Sequence, residues 1–235
     1  DGALVANNVM QLHEYATNGD GTSTDAGWNG VGNMTLAYGK ANINGITGVQ
    51  VLNPESYTYE VKQIAGIAFT VGTPFFVQAA ADGAMTIEQK NGSRLYAPAR
   101  QVAKTTSQYD IHFGNTDYTD VLYISASEDA TNTYQIGKDL VKMTMSSAPV
   151  VPQIFAAAYG NMLCAMHAPL SHDEAVFPLN LYAPKAGEYT IAAGEAQGET
   201  LYLMQGDNVV WNLTSGEYTL DLEQGNNNGY SILLK

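Results

Sequence analysis

The sequence predicts an all-β chain of two tandem antiparallel β-sandwich domains, jelly-roll or Ig-like, spanning residues 1–105 and 106–235. Three observations carry that prediction. Short β-branched and aromatic runs recur about every ten residues, each closed by Gly, Asn, Asp or Pro, as half-buried strands joined by turns require. No stretch longer than about eight residues shows a convincing 3.6-residue period, and only residues 139–145 or 98–104 suit a single helical turn. The apolar signal stops at Lys104-Thr105-Thr106-Ser107, which marks the expected boundary between the domains.

In the first domain, strands are expected at residues 9–15, 46–52, 57–61, 67–71, 75–79 and 85–88, punctuated by Pro54, Pro74 and Asp82-Gly83. The last sixty or so residues follow the pattern best. Residues 201–204 and 209–213 flank Gln205-Gly206-Asp207-Asn208 and read as a hairpin. Residues 217–222 alternate strictly, with Tyr218, Leu220 and Leu222 on one face and Glu217, Thr219 and Asp221 on the other. A polar loop is expected at residues 224–229, before a final strand at 230–234. Four such strands in succession imply an antiparallel meander or Greek key. Gly187-Glu188-Tyr189-Thr190-Ile191 recurs as Gly216-Glu217-Tyr218-Thr219-Leu220, and each copy opens a strand after a turn. One echo is a repeated strand-entry device within a sheet, since repeat arrays need three or more units.

Charge narrows the function. Ten Lys+Arg stand against 23 Asp+Glu, a net charge of −13, and the arginines are only Arg94 and Arg100. Phosphate backbones are bound by cations that replace counterions, so nucleic acid is excluded as a partner and an anionic membrane surface is disfavoured. Charged residues are 14% of the chain, so the acidity reflects missing Lys and Arg rather than a dense acidic coat. A 45% hydrophobic content with 15 Tyr excludes disorder. No run approaches the roughly 20 apolar residues of a transmembrane segment. The start lacks a basic region followed by an apolar one, so any export signal is expected to have been removed or never included. Cys164 has no partner for an internal disulfide and lies in Met162-Leu163-Cys164-Ala165-Met166, the setting of a buried, unreactive thiol.

Candidate chemistry is sparse. Residues 18–25 look like a calcium loop, but with Gly21 at the sixth position Ala16 and Gly27 fall where the anchoring ligands belong. Glu128, Asp129 and Asp139, with Asn132 nearby, are the candidate oxygen ligands for Ca2+, and Lys138 and Lys142 stand close enough to neutralise them instead. No other cofactor is indicated. His167, His172, Asp173 and Glu174 bring histidines and carboxylates together, but the Pro169-containing segment reads as a solvated loop between strands. His13-Glu14 lacks the second histidine of a zincin helix. Ser125, Ser127, Ser146 and Ser147 have no recognisable His and acid partners, and no Gly-x-Ser-x-Gly elbow exists. No Gly-rich phosphate loop is present either. Trp28 and Trp211, with Tyr189 and Tyr218 of the echo, are the candidate ligand-binding residues, suited to stacking on sugar rings; the competing reading of each is core packing.

Gly27-Trp28-Asn29-Gly30-Val31-Gly32-Asn33, followed some forty residues later by Thr73-Pro74-Phe75-Phe76-Val77-Gln78-Ala79, resembles the "GWN-x-x-GNP … P-x-x-FFV-x-A" module of secreted Bacteroidetes surface proteins. Met34 stands where that pattern has its proline. The segments Val121-Leu122-Tyr123-Ile124, Lys138-Asp139-Leu140-Val141-Lys142-Met143 and Val151-Pro152-Gln153-Ile154-Phe155 resemble the adhesin-like β-sandwich that follows it. The family pattern often has Arg-Phe before the final strand, where this chain has Gly229-Tyr230, and no type IX secretion sorting domain is seen after Leu234. The resemblance implies a non-enzymatic secreted or cell-surface protein with a structural or adhesive role, part of a larger surface polypeptide, with an extracellular protein or glycan as its expected partner. Carbohydrate binding through exposed aromatics is the alternative.

Overall fold

The computed structural model describes residues 7–13, 27–33, 39–42, 48–53, 55–56, 58–63, 68–69, 73–79, 81–89, 107–128, 130–143, 149–170, 174–194 and 199–235. These residues form strands and turns, with one 3-10 turn at Leu213–Ser215 and no α-helix among them. The chain divides into two compact units. The first comprises Asp1–Leu52, Glu60–Lys104 and Gln135–Lys138, and the second Asn53–Tyr59, Thr105–Tyr134 and Asp139–Lys235.

The N-terminal strands are β1 (Asn7–Leu12), β2 (Trp28–Gly32), β3 (Gly39–Asn42), β4 (Gly48–Asn53), β5 (Thr58–Gln63), β6 (Ala68–Phe69), β7 (Pro74–Gln78) and β8 (Gly83–Gln89). They make two four-stranded sheets, ordered β1-β8-β3-β6 and β2-β7-β4-β5. Strands β2 and β3 were not among those expected. Leu12, Met85 and Ile87 from one sheet pack with Val49, Phe75 and Val77 from the other in a single core. Period-2 alternation aims these residues inward from both sides.

The GWN segment is a joint in this unit. Gly27 has φ +78°, and a Cβ there would lie 2.2 Å from the Ala79 carbonyl oxygen, so only glycine fits. That close approach lets the Ala79 N–H donate to the Gly27 carbonyl at 2.8 Å. Asn29, 7% exposed, accepts from the His13 N–H through Oδ1 (3.0 Å). Its Nδ2 donates to the carbonyls of His13 (2.9 Å) and Gly27 (2.7 Å). One amide side chain thus imitates a strand edge, satisfying backbone groups at the end of β1 and the start of β2.

The second unit carries β9 (Ser107–Gly114), β10 (Thr119–Ser127), β11 (Leu140–Val141), β12 (Gln153–Ala158), β13 (Asn161–Pro169), β14 (Ala175–Ala183), β15 (Gly187–Ala193), β16 (Leu201–Gln205), β17 (Asn208–Asn212), β18 (Tyr218–Leu222) and β19 (Gly225–Leu234). Ten of them follow one path, β17-β16-β19-β14-β12-β13-β10-β9-β15-β18, with β11 added against β13. The end strands β17 and β18 meet through a stacked Trp211–Tyr218 pair rather than a hydrogen-bonded ladder, so the sheet curls into a near-barrel. Ile111, Phe113, Leu122, Ile124, Phe177, Leu181, Ile191, Leu203 and Ile232 are fully buried, and alternation along each strand places them.

Several expectations need correction. The sheet is mixed: β10 and β13 pair in parallel, Ser125 opposite His167. A parallel pair needs a long crossover, and the chain between Ser127 and Asn161 supplies it. Residues 139–143 make no helical turn, since Leu140 and Val141 pair with β13. The polar stretch expected as a loop at 224–229 belongs largely to β19, pairing as Ala183↔Gly225, Tyr182↔Asn226 and Leu181↔Asn227. Asn227 makes this possible, donating to the Glu223, Gly225 and Leu181 carbonyls and accepting from the Glu223 N–H. The four C-terminal strands do not form a meander: β16 and β17 make the expected hairpin, but β18 pairs with β15 and β19 lies between β16 and β14. The two halves of the sequence echo pair with each other, Thr190 opposite Thr219.

Candidate functional site

Among the described residues of the second unit, the most exposed aromatic side chain, Trp211, lies on the β16–β17 hairpin. Leu201 and Leu203 of β16 are buried, so Gln205, two residues further, shares their face and stands outside the core. The register sets Trp211 opposite Leu203, and Gln205 opposite Tyr230 of β19. Trp211 therefore lies level with Leu203, and Gln205 and Tyr230 sit one alternation further along the same face. Tyr218 begins β18 on the face of Leu220 and Leu222, both buried. Its ring stacks on Trp211 with centroids 5.5 Å apart and planes at 28°. The indole N–H donates to the Gly216 carbonyl at 3.2 Å, which fixes the ring, and Trp211 remains 39% exposed. Gln205 Nε2 donates to the Tyr230 hydroxyl at 3.4 Å. Partial burial, and then the neighbouring Tyr218, raise the pKa of the Tyr230 hydroxyl above the ordinary tyrosine value.

Of the four aromatic candidates, the structure thus brings Trp211 and Tyr218 together. Tyr189 is 4% exposed, stacked on Phe113 at 5.5 Å, and its hydroxyl donates to the Lys185 carbonyl at 2.8 Å; it is a core residue. Trp28 is half-buried in β2 of the other unit. Gln205 and Tyr230 escaped the sequence reading because only the strand register puts them beside this pair. The turn residue Gln205 and the Tyr230 that opens the expected last strand were the available signals.

A second polar cluster lies around β13, which is buried continuously from Leu163 to Ala168. His167 is not in a solvated loop: β13 continues through Pro169, and the ring is inserted between two serines of β10. His167 Nδ1 is 2.7 Å from Ser125 Oγ, and Nε2 is 3.0 Å from Ser127 Oγ. The serines therefore have a histidine partner after all, invisible in sequence because parallel pairing joins residues about forty positions apart. Each ring nitrogen of His167 thus faces a serine hydroxyl. Asp139, fully buried, instead accepts from the His167 backbone N–H at 2.7 Å. Nearby, the buried Lys142 ammonium donates to Asp120, whose carboxylate also accepts from the Ile154 N–H at 2.7 Å. Lys142 therefore neutralises Asp120, an acid about twenty residues away that its own sequence neighbourhood does not contain.

Of the candidate cation ligands, Asp139 faces that backbone amide, Glu128 is exposed, and Asp129 lies outside the described residues, as do His172, Asp173 and residues 18–25. Among the described residues no group of three or more His, Cys, Asp or Glu is placed to hold a metal ion. Cys164 is buried, and burial pushes its thiol up to about 12. No helix among the described residues is long and apolar enough to cross a membrane. No protein-family model, curated protein or solved structure matches the chain.

Proposed function

We propose that this chain is a non-enzymatic, extracellular structural or adhesive protein of a bacterial cell surface, its two units tandem β-sandwiches within a larger surface polypeptide. The observation that carries this reading is how the reactive side chains of the second unit are used. Ser125, Ser127, His167, Asp139, Asp120 and Lys142 bond to one another or to backbone amides of neighbouring strands, so their polar capacity goes into joining β10, β12 and β13. Internally satisfied networks of this kind rigidify a core and specify its register. The resemblance to secreted surface modules and the thin acidic charge support an extracellular setting, where net charge bears on solubility and association.

The test is activity-based labelling with a fluorophosphonate, together with ester, peptide and glycoside substrate panels, beside attachment of protein-coated beads to matrix proteins and glycan-coated surfaces. Attachment without labelling or turnover is expected. Covalent labelling at Ser125 or Ser127, or saturable turnover, overturns the reading.

A second reading, carbohydrate binding, is favoured by one observation: the Trp211 ring is held in place by Tyr218 and the Gly216 carbonyl yet remains exposed.

A further inference from the structure

Resting on that second reading, we infer that the rim of Trp211, Tyr218, Tyr230 and Gln205 is a subsite for a neutral pyranose, with the sugar's C–H face stacked on the exposed Trp211 ring, opposite Tyr218. Three features of the rim point to this ligand class. The first is preorganisation. Tyr218 covers one face of the indole and the Gly216 carbonyl holds its N–H, so the ring is ordered before any ligand arrives. Binding to a fixed ring avoids the entropy of immobilising a mobile side chain, which commonly offsets weak surface contacts.

The second feature is the placement of polar groups beside the ring. Gln205 and Tyr230 occupy directly opposed positions on the same face as Trp211, one alternation along the strand. In the bond from Gln205 Nε2 the Tyr230 hydroxyl is the acceptor, so its proton can donate to a ligand, while the Gln205 carbonyl oxygen can accept. An aromatic face flanked by an amide and a hydroxyl matches a pyranose, which presents an apolar C–H face bordered by hydroxyl groups. A purely apolar partner would leave those polar groups unmatched.

The third feature is charge. Residues 201–235 contain Asp207, Glu217, Asp221 and Glu223 against Lys235 alone, and all four acids are exposed. Lys235 is itself engaged with Glu174 at 2.7 Å. Uronates, sulfated sugars and sialylated glycans would meet an uncompensated negative field, so the ligand is a neutral sugar.

The experiment uses the full chain carrying Trp28→Phe. That variant leaves Trp211 as the sole indole, and Trp28 lies in the other unit. Cello-, manno-, galacto- and N-acetylchito-oligosaccharides are titrated against its fluorescence, with polygalacturonate, choline and polylysine as comparisons. At least one neutral oligosaccharide should shift Trp211 emission saturably and protect the ring from iodide quenching. Trp211→Ala should weaken that ligand by at least about tenfold, and Tyr230→Phe and Gln205→Ala by about threefold each. Should Trp211→Ala fail to fold, iodide protection in the Trp28→Phe protein decides alone, because it reads the native ring.

Retention of a neutral glycan by Trp211→Ala, or ligand binding without iodide protection, overturns this site while the carbohydrate reading survives. No binding of any carbohydrate overturns both. A response to polygalacturonate alone removes the neutral-sugar assignment. A response to choline or polylysine alone shows that the ring takes cations and equally overturns the inference.

Discussion

Lys142→Met tests the polar network of the second unit most directly. The Lys142 and Asp120 side chains are 1% and 6% exposed, so neither can turn to water when its partner is lost. Methionine fills much of the lysine stem's volume but leaves the Asp120 carboxylate with the Ile154 N–H and no countercharge. Removing one member of a buried pair typically costs about 3–5 kcal/mol. The double variant Lys142→Met/Asp120→Asn removes both charges and keeps an amide oxygen for Ile154, so it should recover most of that loss. Because the chain divides into two compact units, a single global transition is a poor measure; the thiol of Cys164, the single cysteine and buried in β13, reports locally. Each 1.4 kcal/mol of lost local stability raises the population of the open form about tenfold. With closing faster than labelling, Lys142→Met should accelerate Cys164 modification by roughly two to three and a half orders of magnitude. Raising the salt should barely alter the effect, since buried charges are poorly screened. An acceleration under about fivefold, or a double variant as fast as the single one, would refute the reasoning.

Asn29→Ala removes the three side-chain bonds to His13 and Gly27 and should cost the first unit about 2–4 kcal/mol, read by urea unfolding followed at Trp28 in a Trp211→Phe background. A loss below about 1 kcal/mol would show that water replaces the amide. Cys164 ties stability to alkaline pH: its folded pKa, about 12, lies above the ordinary 9.0, so the folded state holds the proton more tightly. Its contribution is complete below about pH 9 and is lost as pH rises toward 12, so wild type should lose more stability over that window than Cys164→Ala. Equal losses in the two proteins would sink that assignment. In the β12–β13 turn, Tyr159 and Gly160 have φ of 55° and 73°, and positive φ at both central residues favours Asn-Gly. Tyr159→Asn should therefore stabilise the second unit by up to about 1 kcal/mol; a fall in melting temperature would mean that the Tyr159 hydroxyl's bond to Thr131 outweighs the relief of strain.

Much of the fold was legible wherever local chemistry acts alone. The β16–β17 hairpin followed from two apolar runs around a turn with Gly206, and β18 from strict alternation over residues 217–222. Legibility failed where a side chain does a backbone's work. Asn227 holds a stretch rich in Asn and Gly within a strand, and composition alone reads such a stretch as a loop. Asn29 is the same case in the first unit: the motif was visible, but its work as a joint between β1 and β2 was not. His167 was misplaced because Pro169 suggested a loop, while pairing with β10 carries the strand through it.

By itself, then, the sequence determined the all-β class and many of the strands, because period-2 alternation and turn residues are properties of neighbouring residues. The tertiary structure decided which strands pair. Through that register it stacked Trp211 on Tyr218, set Gln205 against Tyr230, and enclosed His167 between Ser125 and Ser127. The physical reason is that hydrogen-bond register joins residues far apart in the chain, and a strand's own pattern states which face it buries but not which strand it meets.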